Sequence, residues 1–120
     1  MTCMELSTAA KYGMAPIVII LNNDGYGTQR HIIDGPFNDI HRWHYTKITE
    51  VLGQGKSACV HTKGELQAAL QDAVSSQVLY IIEVIIPRGD CSPSLKKMGE
   101  QLGKLRNATT WNAQGIPAAF

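Results

Sequence analysis

Cysteine is scarce. Three residues in 120, Cys3, Cys59 and Cys91, are odd in number and far apart, which excludes a disulfide framework. They suit a reduced, cytoplasmic setting in which they serve as small buried hydrophobes. No apolar run approaches the roughly 20 residues needed to span a bilayer. No basic segment followed by an apolar core opens the chain, so no secretory signal is expected. Nor does one sign of charge dominate. Eleven lysines and arginines stand against ten aspartates and glutamates, so neither nucleic acid nor an acidic membrane surface is an expected partner. There is no internal repeat and no low-complexity segment. The length fits one domain with a modest core.

The most informative stretch runs from Ile17 to Asp34. Ile17, Val18, Ile19, Ile20 and Leu21 form a mostly β-branched apolar run, the pattern of a parallel strand buried on both faces. It leads directly into Asn22, Asn23, Asp24, Gly25, Tyr26 and Gly27. In open α/β sheets, ligands bind where strands end. Asparagine and backbone carbonyls are hard oxygen ligands suited to Mg²⁺ or Ca²⁺, and glycine lets the backbone turn sharply. The same letters also describe a generic turn, and both readings stand at this point.

Elsewhere, residues 2 to 13 read as a helix, with Thr2 and Glu5 at capping-box spacing and Leu6, Ala9, Ala10 and Gly13 on one face. Residues 29 to 47 read as irregular. His41 and His44 suggest a metal pair only if that segment is helical. The alternative is a loop anchored by Trp43 and Tyr45. Lys47 to Leu52 predicts a short helix, and Ser57 to His61 a strand with His61 as a surface or capping residue. Thr62 and Glu65 form a second capping box, opening a helix to Ser76 with a stripe of Leu66, Ala69, Leu70 and Ala73. Val78 to Ile86 predicts a third strand, in which Glu83 is either at a strand end or facing a polar partner. Ser92 and Pro93 start a last helix, striped by Leu95, Met98, Leu102 and Leu105. Lys96, Lys97, Lys104 and Arg106 form its solvated face. Residues 107–120 read as an irregular tail, free or docked through Trp111 and Phe120. The alternation predicts an α/β sandwich with a mainly parallel sheet.

Residues 1–13, 22–28 and 34–40, read together, closely resemble the thiamine-diphosphate-binding domain of the 2-oxo acid decarboxylases, of the pyruvate and indolepyruvate type. The resemblance covers residues 1–106 and implies a three-layer α/β sandwich. It implies thiamine diphosphate and Mg²⁺ as cofactors, with Asn23 and the carbonyl of Gly25 as metal ligands and Tyr26 and Gly27 in the cofactor loop. It also exposes three departures. The family's Gly-Asp-Gly motif, with its metal aspartate and preceding strand, is absent and expected just before Met1. Gln29 stands where the family has a catalytic glutamate, and an amide cannot relay protons. The second catalytic domain is missing. A fragment with weak or no cofactor binding, not catalytic alone, is therefore expected.

Faces left without their neighbours are expected to drive a homodimer or larger oligomer, or to await a separate chain carrying the missing domain. Three functions follow: a decarboxylase's cofactor-binding portion, a non-catalytic oligomeric interaction module, or a small metal protein using Asn23, Asp24, His41 and His44.

Overall fold

The computed structural model describes residues 4–108, with side chains to Leu105. Thr2, Cys3, Trp111 and Phe120 lie outside the described residues, and with them the first capping box and the proposed docking of the tail. Two compact units form. One joins the described residues up to Asn22 with His41–Ile86; the other joins Asn23–Ile40 with the described residues from Pro87 onward.

The first unit holds helix α1 (Glu5–Lys11) and strand β1 (Ile17–Asn22). The second contributes a single turn of helix, α2 (Gly27–Arg30). Back in the first unit come α3 (Ile48–Leu52), β2 (Lys56–Val60), α4 (Lys63–Ser76) and β3 (Tyr80–Ile85). The second unit closes with α5 (Pro93–Ala108). Its start is as expected, with the Leu95 amide donating to the Ser92 hydroxyl at 3.2 Å. Among the described residues, no helix is long and apolar enough to cross a membrane.

The three strands form one parallel sheet in the order β1-β3-β2. Such a sheet needs helical crossovers, and α4 supplies the one between β2 and β3. It opens with the expected capping box: the Thr62 hydroxyl accepts from the Glu65 amide, and the Glu65 carboxylate accepts from the Thr62 amide. Ala69 and Ala73 of α4 lie against Val60, Tyr80 and Ile82, with Ala58, Leu66, Leu70 and Val84 packed around them. Small side chains let the helix approach the sheet closely. On the opposite face, Ile81 is fully buried. A 3-10 turn, Tyr45–Lys47, covers that side, where the Ser57 hydroxyl donates to the Thr46 carbonyl at 2.9 Å.

The strand buried on both faces is β3, not β1. β1 lies at the sheet edge, and Ile17, Ile19 and Leu21 are exposed while the alternate residues are half-buried. An apolar β-branched run records a preference for burial, not a position in the sheet. That position is set by which strand both others pair with, and this is β3. Glu83 resolves in favour of a polar partner. It is buried in mid-strand and accepts from the Asn22 amide group at 2.7 Å. His41 and His44 are exposed, and the described residues contain no cluster of three His, Cys, Asp or Glu side chains fit to hold a metal. Trp43 and Tyr45 stack with ring centres 6.5 Å apart.

In the second unit, Met98, Leu102 and Leu105 of α5 are exposed and Leu95 is half-buried. Lys96, Lys97 and Lys104 are solvated, as expected.

Candidate functional site

Five consecutive residues, Asn23 to Gly27, make the turn that leaves β1, and all lie in the second unit. Asp24 has φ 60° and Gly25 φ 155°. The first is a left-handed conformation that Asp tolerates better than most L-residues. The second is open in practice only to glycine. A Cβ on Gly25 would come within 2.5 Å of the Asn38 carbonyl and 2.7 Å of Arg30 Nη2.

The turn is held from outside as well. The Tyr26 amide donates to the Asn38 carbonyl at 2.9 Å, and the Gly27 amide donates back to the Gly25 carbonyl at 3.1 Å. Asn38 is itself fixed: it is buried, its amide group donates to the Ile33 carbonyl at 2.7 Å, and its backbone amide donates to Gly35 at 3.0 Å.

Charge organises the flank. Arg30 donates to Asp39 and, at 3.2 Å, to Asp34. Arg88 donates to Asp24 through Nε at 2.9 Å and through Nη2, and to the same Asp39 oxygen at 3.3 Å. Arg30's hydrogen bond holds the Asp39 carboxyl below the usual carboxylate range, against a smaller opposing effect of burial. The reciprocal bond from Asp39 raises Arg30.

The structure brings Asn23, Gly25, Tyr26 and Gly27 into one turn. Asn23 is half-buried, and its side-chain amide sits over Gly27, where any Cβ would run into Nδ2. Tyr26 is exposed. Gln29, in α2, is exposed, and its carbonyl accepts from the Ile32 and Ile33 amides at 2.9 and 2.8 Å. The Asn23 amide oxygen and the Gly25 carbonyl are neutral, hard donors of the kind Mg²⁺ takes, and fit two of its about six positions. Arg30, Asn38, Asp39 and Arg88 also hold the turn and its flank; none was named as a site residue from the sequence, although Asn38 and Asp39 fall in the 34–40 stretch that carries the resemblance. For the two arginines the only available signal was their place in segments that follow parallel strands.

The chain matches the family model described as the C-terminal TPP binding domain of thiamine pyrophosphate enzymes, over residues 1–84. It is 38% identical to an alpha-keto-acid decarboxylase of Mycolicibacterium paratuberculosis, over 73% of this chain and 16% of that protein. It is 31% identical to pyruvate decarboxylase 3 of Arabidopsis thaliana, over 84% of this chain and 18% of that protein. A pyruvate decarboxylase 2 sequence of Zea mays is 37% identical over 72% of this chain and 87% of its own length. The chain thus spans under a fifth of the length of the first two. With its parallel α/β sheet and the glycine-bearing turn beyond β1, the chain belongs to the thiamine pyrophosphate enzymes' C-terminal TPP-binding domain family.

Proposed function

We propose that this chain is the thiamine-diphosphate- and Mg²⁺-binding portion of a 2-oxo acid decarboxylase of the pyruvate or indolepyruvate type, acting with protein groups supplied from outside the described residues. The observation that carries this reading is the turn itself, which sets the Asn23 amide and the Gly25 carbonyl two residues apart on a backbone that admits only glycine at position 25. Bound there, the cofactor would supply a thiazolium carbon nucleophile and an electron sink for decarboxylation. The chain's own residues bind and orient. Asn23 and Gly25 would ligate the metal. Tyr26 and Gly27 would line the cofactor loop. Gln29 would hydrogen-bond to a substrate, but a neutral amide does not relay protons.

Two neutral ligands give the metal no charged protein partner, and the resemblance implies that the carboxylate ligand and the acid–base group come from elsewhere. The isolated chain is accordingly expected to be inactive. A cytoplasmic setting agrees with the free thiols of Cys59 and Cys91.

The test is a calorimetric titration of the chain with thiamine diphosphate in excess Mg²⁺, beside Asn23→Ala. Weak, saturable heat in the millimolar range that the substitution abolishes is the expected result, weak because the described residues offer the metal only neutral ligands. Silence at millimolar cofactor would overturn the reading.

A second reading, a non-catalytic oligomeric interaction module, has one specific observation in its favour. The apolar face of β1 is exposed, and such surfaces tend to be covered by association. Silent calorimetry together with a stable dimer would select it.

A further inference from the structure

We propose that Arg88 is a positioning residue for the turn at Asn23–Gly25, an inference that rests on the metal-binding reading of that turn. Asp24 sits at φ 60°, on the disfavoured side of the backbone map for an L-residue. Asp bears this conformation better than most residues but still at a cost, which a hold from outside the turn offsets. Released, it would relax toward negative φ, rotating the peptides on either side of it. Those two peptides connect Asn23 to Gly25, the pair read as metal ligands.

The tether is Arg88. It grips the Asp24 carboxylate through Nε and Nη2 while Nη1 reaches Asp39. Asp39 is in turn fixed by Arg30, whose side chain is only 14% exposed. Arg30 also lies beside Gly25 in the space a Cβ would fill. Asp39 is therefore the hub. It joins the arginine under Gly25 to the arginine that holds Asp24. Arg88 further occupies the one carboxylate within the turn, leaving Asn23 and Gly25, both neutral, to face the ion.

Exposed ion pairs contribute little to global stability, and Arg88 and Asp24 are 53% and 43% exposed. The effect of Arg88 is thus local. It orders the turn without holding the fold together. Lysine cannot replace it fully, because a single ammonium lacks the planar fork that spans two carboxylates.

The experiment is amide hydrogen exchange by NMR on the Mg²⁺-free chain and its Arg88→Gln and Arg88→Lys variants. It is paired with titration by Mg²⁺ and thiamine diphosphate. In Arg88→Gln, exchange at the Tyr26 and Gly27 amides should quicken about tenfold while Ile82 in β3 is unchanged. Cofactor affinity should fall about tenfold or more, as when a group orienting a metal ligand is lost. Arg88→Lys should fall between. Unchanged exchange at Tyr26 and Gly27 overturns the tether. Faster exchange with unchanged affinity overturns its role toward the metal. If the parent chain binds no cofactor, the metal reading fails and that role falls with it, while the exchange data still decide whether Arg88 orders the turn.

Discussion

Glu65 shows how one side chain can tie a helix start to pH. Its carboxylate accepts from the His61 amide at 2.7 Å and the Thr62 amide at 3.1 Å. These bonds, the one from His61 foremost, hold its pKa below the ordinary 4.5. Asp72 is lowered below 3.8 in the same direction, first by the Tyr80 hydroxyl and then by Lys56. A group whose folded pKa is depressed stabilises fully above its unfolded value and loses that stabilisation as pH falls through the folded one. Urea midpoints should therefore be level from neutrality down to the unfolded carboxylate range and decline below it. Glu65→Gln should be less stable at pH 7 and flatter in acid. Thr62→Ala removes the other half of the box and should lower stability by about 1 kcal/mol at every pH, read from the same curves.

This box was legible in the sequence because its partners lie three residues apart. The grip of Arg88 on Asp24 was not: 64 residues separate them, and no local pattern marks a pair that only the fold brings together. Asn23 and Gly25 stood out because their chemistry is in their letters. Asn38, which fixes the same turn through its backbone carbonyl, has no such mark, since any residue carries a carbonyl.

At the scale of elements, β1 and β3 are nearly indistinguishable as text. Both are six-residue runs rich in isoleucine and valine. The fold separates them, giving β3 two neighbouring strands and α4, and β1, among the described residues, one neighbouring strand. Identical substitutions should therefore have unequal effects. Ile82 is fully buried, and Ile82→Ala should remove about 2–5 kcal/mol through lost burial and the cavity left behind. Ile19, its register partner on the same face, is 49% exposed, so Ile19→Ala should lower stability by under about 1 kcal/mol. Denaturant titration of the two variants checks this directly. Equal losses would mean that β1 is as enclosed as β3. The alternation of helix and strand was readable from periodicity. The order of strands was not, because register and adjacency are settled by packing between segments rather than within them.

For the chain as a whole, the consequence of that inequality is association. Ile17, Ile19 and Leu21 share the sheet face on which α4 covers β2 and β3 but leaves β1 bare. Leu66, Leu70 and Val74 of α4 line a shallow apolar groove, and Val74 is exposed. The outer edge of β1 pairs with no other strand among the described residues. An open edge beside an apolar surface is a template for another strand. Burying three such side chains at about 1.5–3 kcal/mol each would offset much of the entropy lost on pairing two chains. The chain is therefore expected to run as a dimer or larger species in sizing with light scattering, and to dissociate on dilution. Leu21→Lys puts a charge within the contact and should shift the population toward monomer with an unchanged circular dichroism spectrum. A parent chain that stays monomeric at high concentration would show that water, not protein, covers β1.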